Sequence, residues 1–465
     1  MIPLEKFLYQ NSGKKVVLLG KGELFSKDEY IGFLKNKNIE IVPRLEDGVV
    51  AIIEHHTISH VEELISCDAY VHDIPIYKLK EFEKLISSSL IDTHILMSLK
   101  LRNDQQRLYK LLNNPYINDS LFLKLIPMYI WSDDIHQDGN EDRGVVMATL
   151  KRFLKVGDDE EDILYSHLTL NRLARETTNP ELLYALLYFP NYKFLQHGKS
   201  WITLREVVAL SPHLDILTIK KLMRFRDSTI PFYLASNPST PIDILKKFAG
   251  TYHEIEIDEA LASNPSIDHA LFVELLSRRG SVRETLLTYQ HIDNKRFTLI
   301  EAIQIEEETY AYLGHNVNIS KDVLLRLVKR TNECLLKSLS CNQSLTSEML
   351  EIIFNKNIPL YYPFLASNPS SSPEILEKIY KSSNDNEIIL CSLASNPSTP
   401  LKILEALFEK DIFDINESLA LNESLPLEFL NILQIDTRLC NALSKNRTFR
   451  ANTSQNNIKR LEIKQ

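Results

Sequence analysis

The stretch Leu234-Ala235-Ser236-Asn237-Pro238-Ser239-Thr240-Pro241 recurs almost unchanged as Leu393-Ala394-Ser395-Asn396-Pro397-Ser398-Thr399-Pro400. Close copies lie at Leu261–Ser266 and Leu365–Ser370, and a weaker one at Leu419-Ala420-Leu421-Asn422. With the asparagine as phase marker, the series reads Ser211, Asn237, Asn264, Gln290, Asn316, Asn342, Asn368, Asn396, Asn422 and Asn446, at steps of 24 to 28 residues and most often 26. A fixed period of this length is the signature of a repeat array, in which no unit buries its apolar face alone and stacking supplies the core.

Apolar residues keep step with the marker. Three before it stand Leu234, Leu261, Leu287, Leu313, Leu339, Leu365, Leu393, Leu419 and Leu443. Eight after it come Leu245, Phe272, Leu324, Leu350, Leu376, Leu404 and Leu430, and eleven after it Phe248, Leu275, Leu327, Ile353, Ile379, Leu407 and Leu433. The last two columns lie three apart, one stripe of a helix. The Gln290 repeat slips by one, to Phe297 and Ile300, which predicts a local irregularity.

Local chemistry sets the unit. A residue before proline is pushed out of the α region, so Asn237-Pro238 ends the helix carrying Leu234. Asn also tolerates unusual backbone angles and bonds neighbouring amides. Thr240-Pro241 and Thr399-Pro400 are expected to restart the chain, hydroxyl as N-cap and proline at the first helical position. Alanine at 235, 262, 366, 394 and 420 allows close approach of adjacent turns. The expected unit is a short helix, a tight turn and a longer amphipathic helix.

At these residues the chain resembles the leucine-rich repeat variant family of bacterial proteins, whose unit runs approximately Val-Ala-x-Asn-Pro-x-Thr-Pro-x-x-x-Leu-x-x-Leu. The match is specific at Asn237, Asn264, Asn368 and Asn396 and looser elsewhere, and covers about half the chain. The resemblance implies a right-handed α-solenoid of alternating α- and 3₁₀-helices. The spacing near 26 exceeds the family's unit, so the 3₁₀ segment is expected to be a fuller helix. The clustered cysteines of those members that carry an iron–sulfur cluster are missing.

Upstream, Leu111-Leu112-Asn113-Asn114-Pro115 with Phe122 and Leu125 fits the template, as does Leu173-Ala174-Arg175-Glu176 with Tyr184 and Leu187. Between them the period is lost around an acidic loop, Trp131 to Gly144, and the run Asp158-Asp159-Glu160-Glu161-Asp162. Residues 13 to about 90 have another rhythm. Strands are expected at Val16–Leu19, Ile39–Val42, Val49–Ile53 and Ala69–Val71, with helices at Lys27–Lys35, Ser59–Ser66 and Ile76–Ile86. Alternation at this length implies a small, largely parallel α/β sheet. The order β-α-β-β-α-β-α resembles a BRCT domain, a module that often binds phosphorylated partners. Leu19 stands where that family commonly has Ser or Thr, and the usual tryptophan of the last helix is missing, which argues against phosphopeptide binding in the family's manner. The expected organisation is a small, BRCT-like α/β domain at 1–92, divergent repeats with an acidic insertion at 93–205, regular repeats at 206–450 and a polar tail at 451–465: mainly α overall.

Composition agrees with a folded helical chain: 465 residues, 44% hydrophobic, 25% charged and only 12 glycines, below the usual ~7%. A net charge of −9 argues against a surface that tracks nucleic-acid backbone throughout. Five dispersed cysteines (Cys67, Cys334, Cys341, Cys391, Cys440) without a CxxC pair suit buried thiols in a reducing compartment. The first fifteen residues hold no continuous apolar run, and nothing approaches a membrane span, so the expected address is the cytoplasm, with no membrane partner.

Few residues suggest chemistry. Gly20-Lys21-Gly22 follows a strand but lacks the Gly-Lys-Ser/Thr ending of a phosphate loop and the third glycine of a dinucleotide fingerprint, and reads as a strand-to-helix turn. His55, His56 and His60 are the best metal-like group; His56 and His60 are four apart and could share a helix face, with His72-Asp73 at the end of the next strand. The plainer reading is a polar loop and helix start. Asp134-x-His136-x-Asp138-Gly139 echoes a calcium loop, but Val145 stands where the bidentate Glu belongs, leaving an exposed acidic loop. Cations recur in phase after the long helices: Lys220, Lys221, Arg224 and Arg226; Lys246 and Lys247; Arg278, Arg279 and Arg283; Arg326, Lys329 and Arg330. They complement helix dipoles, or form a ridge for an acidic protein or nucleic acid.

The leading expectation is a non-enzymatic scaffold without cofactor, holding a protein partner on the repeats, with the N-terminal domain as a second contact. A second is nucleic-acid binding or repair, by distant resemblance to HEAT-like DNA-alkylation glycosylases, for which only Trp131 and Trp201 are available as tryptophans. A third is a metal-dependent enzyme using His55, His56 and His60.

Overall fold

The computed structural model describes residues 3–22, 24–132, 141–154, 166–196, 200–225, 227–252, 254–303 and 305–452. The protein is mainly helical, and it divides into two compact units, Met1–Ile230 and Pro231–Gln465.

The first unit opens with helix α1 (Leu4–Gln10) and then alternates: β1 (Lys15–Leu19), α2 (Lys27–Asn36), β2 (Glu40–Val42), β3 (Val49–Glu54), α3 (His60–Val71), β4 (Ile76–Lys78) and α4 (Leu79–Ser88). The four strands form one parallel sheet in the order β2-β1-β3-β4. Val17, Leu19, Val42, Ile52 and Ala69 make a buried cluster, against which Ile58, Ile65 and Ile76 pack. Tyr30 and Phe82 stack with ring centroids 5.7 Å apart. The Tyr30 hydroxyl donates to the buried Glu83 carboxylate at 2.5 Å.

Two boundaries differ from the sequence reading. Ala69–Val71 is the last turn of α3, not a strand, and Ile76–Lys78 is the strand where a helix was expected to begin. A short apolar run carries no periodicity to separate the two states. What decides is the capping box at Ser59 and Glu62, which starts a helix of twelve residues reaching Val71; Asp73, at φ 55°, turns the chain into β4.

Helices then follow one another: Asp92–Arg102, Gln105–Leu112, Asp119–Leu125, Glu141–Phe153, Ser166–Glu176, Pro180–Leu186, Leu204–Ala209 and Ile216–Leu222. An antiparallel hairpin, β5 (Lys193–Leu195) with β6 (Trp201–Thr203), interrupts them. It was absent from the sequence reading, since three residues per strand are too few for a period of two to show. Leu111, Leu112, Phe122, Leu125, Leu173, Ala174 and Leu187 are buried, and Tyr184 half-buried. Asn114 already behaves as a repeat asparagine. Its amide nitrogen donates to Ser87 Oγ at the end of α4 (2.8 Å), and its oxygen accepts from the Tyr116 N–H (2.9 Å). The last helix of the α/β module thus presents a surface to the first repeat.

In the second unit the repeat takes its regular form. Short helices of six to nine residues, such as Glu333–Ser340 and Glu387–Ser395, alternate with helices of seven to ten, such as Pro373–Ser382. Three of the short ones begin with a 3₁₀ turn, Glu307–Thr309, Pro359–Tyr361 and Thr437–Leu439, which runs directly into an α segment. All three apolar columns face inward: every member is at most 4% exposed, including Phe297 and Ile300 of the slipped repeat.

The marker residues form a ladder of hydrogen bonds. The side-chain amide of each of Asn264, Gln290, Asn316, Asn342, Asn368, Asn396, Asn422 and Asn446 donates to two backbone carbonyls of the preceding repeat, at 2.7–3.0 Å. One is the carbonyl of the preceding marker. The other belongs to the residue two before it, or three before it where Asn316 reaches Leu287. In the asparagines from 237 to 422 the side-chain oxygen accepts the N–H two residues on, as from Ser370 to Asn368 (3.0 Å). An amide has two donors and a carbonyl, so all three groups are satisfied in a site that excludes water.

The backbone at Asn264, Asn316, Asn368, Asn396, Asn422 and Asn446 is ordinary extended chain, φ −71° to −80° and ψ 114° to 121°. No unusual angle is used. The same geometry holds where Val317, Glu423 or Arg447 follows instead of proline, so the amide's hydrogen bonds, and not only the proline ring, end the short helix.

The threonines also work differently from expectation. Pro241 and Pro400 occupy the N-cap positions themselves. Thr240 and Thr399 turn back and donate to the carbonyls of Leu234 and Leu393, both at 2.7 Å. Those carbonyls lie in the last turn of the short helix, where acceptors lack intrahelical partners. Ser371 does the same toward Leu365 (2.6 Å). The slip at Gln290 has a matching cause. Its helix keeps an i−4 bond to Leu286 where Asn264 makes an i−3 bond to Leu261, and the extra methylene of glutamine restores the reach.

Left-handed backbone positions are filled by Asn or Asp. Asn38, Asp73, Asn103, Asn357, Asn384, Asp385 and Asp411 are the non-glycine residues with positive φ among the described residues. Their short polar side chains tolerate that region, which lets a chain so poor in glycine still turn.

Candidate partner-binding surface

The recurring cations fall into two groups. In the second unit, Arg278 pairs with Asp258 and Glu274 and donates to the Ala249 carbonyl (3.0 Å). Arg326 and Arg330 share Glu301, each at 2.5 Å, and Arg330 also lies over the Tyr310 ring at 4.6 Å. Lys246 pairs with Asp268 at 2.5 Å and holds that carboxyl below its ordinary range. Arg283 donates to the Leu276 carbonyl (3.0 Å). Several of these contacts span 22 to 29 residues, one repeat to the next: these side chains staple the array. Lys247, Arg279 and Lys329 are exposed. In the first unit, Lys220 and Arg224 are exposed, while Lys221 lies 4.2 Å over the Tyr188 ring. Arg226 is outside the described residues, as are the Asp134–Gly139 loop and the Asp158–Asp162 run.

The histidines do not converge. The helix begins at His60, with Ser59 as cap, so His56 precedes it and shares no face with His60. The rings of His55 and His56 sit 4.0 Å apart, and His55 Nδ1 is near the Thr57 backbone. His60 is exposed and meets only Glu63 (3.4 Å). His72 and Asp73 cap α3 and do not end a strand. Among the described residues no three His, Cys, Asp or Glu side chains gather as a metal site.

Gly20-Lys21-Gly22 is a strand-to-helix turn. Gly20 has φ 82°, and a Cβ there would come within 2.6 Å of His55 Cβ. Its N–H donates to Glu62 (2.9 Å). Backbone N–H groups of Ser59 and Gly20 together hold the Glu62 carboxyl below its ordinary range. The turn borders a cleft of about 790 Å³ between β1, α2 and the helices Asp92–Arg102 and Gln105–Leu112. Arg107, which lines it, is neutralised by Glu29 of α2.

The thiols are not buried: Cys67, Cys334, Cys341 and Cys440 are exposed and Cys391 half-buried. Cys334 and Cys440 stand on the outer face of short helices, outside the leucine columns. That face is the surface missed from sequence. Its signal was present in the ten residues before each marker from 264 to 446, which together hold thirteen Asp or Glu against four Lys or Arg. A balance of −9 equals that of the whole chain.

Comparison with family models, curated proteins and solved structures finds no match to this chain. No helix among the described residues is long and apolar enough to cross a membrane.

Proposed function

We propose that this chain is a non-enzymatic cytoplasmic scaffold: a right-handed α-solenoid of the leucine-rich repeat variant kind, preceded by a BRCT-like module, that holds a protein partner on its repeats. The observation that carries this reading is the ladder. Each recurring asparagine is consumed in joining one repeat to the next, and the threonines that accompany it close the turn within a repeat, so repetition here builds an extended surface. The parallel order β2-β1-β3-β4 supports the BRCT-like assignment. Nucleic-acid binding fits less well, because Arg278 is engaged by Asp258 and Glu274, and Arg326 and Arg330 share Glu301, so much of their charge is already met within the array. In-cell cross-linking followed by mass spectrometry tests the scaffold: expected is a protein joined in near-stoichiometric amount to residues after 231. Duplex-DNA affinity that falls steeply with salt, with no protein cross-linked, would replace this reading with the nucleic-acid one.

A further inference from the structure

On the outer face of three consecutive short helices, the position eight before the marker is apolar and open to solvent. It holds Cys334, then Leu360 at 58% exposure, then Ile388 at 68%. The helices lie side by side, since Asn368 reaches back to the Ser340 carbonyl and Asn396 to that of Ala366. Lys337 of the first helix also sits 5.3 Å over the Phe364 ring of the second. The apolar column is therefore continuous across the repeats. Acids frame it: Glu333 and Glu387 precede it by one position, and Asp414 takes its place in the next repeat. All three are exposed.

We infer that this face binds a basic amphipathic α-helix supplied by a partner. The inference rests on the scaffold reading and names the partner's chemistry. Packed helices lie roughly 8–10 Å apart, so successive apolar positions recur at about that interval. A helix laid across them advances about 10.5 Å in seven residues. Apolar side chains at i, i+7 and i+14 thus meet Cys334, Leu360 and Ile388 in turn. Lysine or arginine on either side of that stripe meets Glu333, Glu387 and Asp414. Exposed apolar residues aligned in one column and framed by Glu333, Glu387 and Asp414, with the cation Lys337 turned onto the Phe364 ring, have the character of an interaction site. A second copy of this chain fits poorly, because the same face would bring acid against acid.

The test uses the full chain and a fluorescein-labelled 21-residue helical peptide with Leu at i, i+7 and i+14 and Lys flanking them. Two control peptides replace Leu by Ser, or Lys by Glu. Fluorescence anisotropy is expected to show binding of the first peptide only. The Leu360→Ser/Ile388→Ser protein should bind at least tenfold more weakly, and Glu333→Gln/Glu387→Gln should bind more weakly and with a shallower salt dependence. All four side chains are exposed, so the variants fold; circular dichroism verifies this. Equal binding by the wild type and the Ser variant, or equal binding of the Glu peptide, overturns the inference. So does wild-type self-association that the Ser variant abolishes in sedimentation, which would assign the face to a second copy. A cross-linked partner mapping elsewhere in the chain sinks this inference and leaves the scaffold reading intact, whereas absence of any protein partner removes both.

Discussion

A buried asparagine amide that donates twice and accepts once has no replacement that keeps both its shape and its donors. Asn368→Ala would strand the Ser340 and Asn342 carbonyls and the Ser370 N–H in a site closed to water, and should cost about 2–4 kcal/mol. Asn368→Asp keeps the shape and the acceptor but loses both donors, and should be at least as damaging; urea denaturation of the two variants measures this. A near-neutral Asp variant would mean that shape alone matters. Glycine 314 makes a second residue-scale case. It occupies the column that holds Ala235 and Ala262 in other repeats, yet a Cβ there would stand 2.5 Å from Ser338 Cβ. Gly314→Ala is expected to destabilise by roughly 1–3 kcal/mol through overpacking, against the usual gain from replacing a helical glycine. Little of this was legible beforehand. The sequence placed the asparagines and their phase, but an extended backbone angle and a hydrogen bond reaching 26 residues back leave no local trace.

Elements depend on how their ends are satisfied. Ser59 caps α3 while Glu62 returns to the Ser59 and Gly20 amides, so one carboxylate joins α3 to the turn after β1. Because its folded pKa lies below the unfolded value of about 4.3, it contributes stability that is present above that pH and is lost as pH falls through the lowered folded value. Comparing Glu62→Gln with wild type in denaturation at pH 7 and near pH 3 should show a loss at neutral pH that shrinks in acid. An equal loss at both would refute the linkage. Leucine columns were the most legible elements, because burial every three or four residues imposes a period that survives drift in everything else. The strand Ile76–Lys78 and the hairpin Lys193–Leu195 with Trp201–Thr203 were not legible, being too short for any period. The inverted threonines show the limit of motif chemistry: Thr-Pro fits a cap, and only the neighbouring Leu234 carbonyl decides where the hydroxyl turns.

Across the molecule, stability in the second unit is a sum of neighbour interfaces. Removing a whole period, residues 343–368, places Asn396 directly after Asn342 in the ladder and should leave a cooperatively folded chain. Removing half a period, 343–355, breaks the phase and should abolish cooperative unfolding; thermal circular dichroism separates the two. Leu376→Ala, emptying one column position, should cost roughly 2–5 kcal/mol. The candidate binding face was hidden from sequence for a reason of scale. Its acids and apolar residues are scattered singly, one or two per repeat, and become a surface only when helices distant in sequence are laid side by side.

Every rung of the ladder is donated by a later residue to carbonyls made earlier. A nascent chain leaving the ribosome therefore meets acceptors already in place, and each new repeat can close onto the one before it. This polarity favours closure from the N-terminal side, and a stalled or truncated product would leave its last marker carbonyls without a donor.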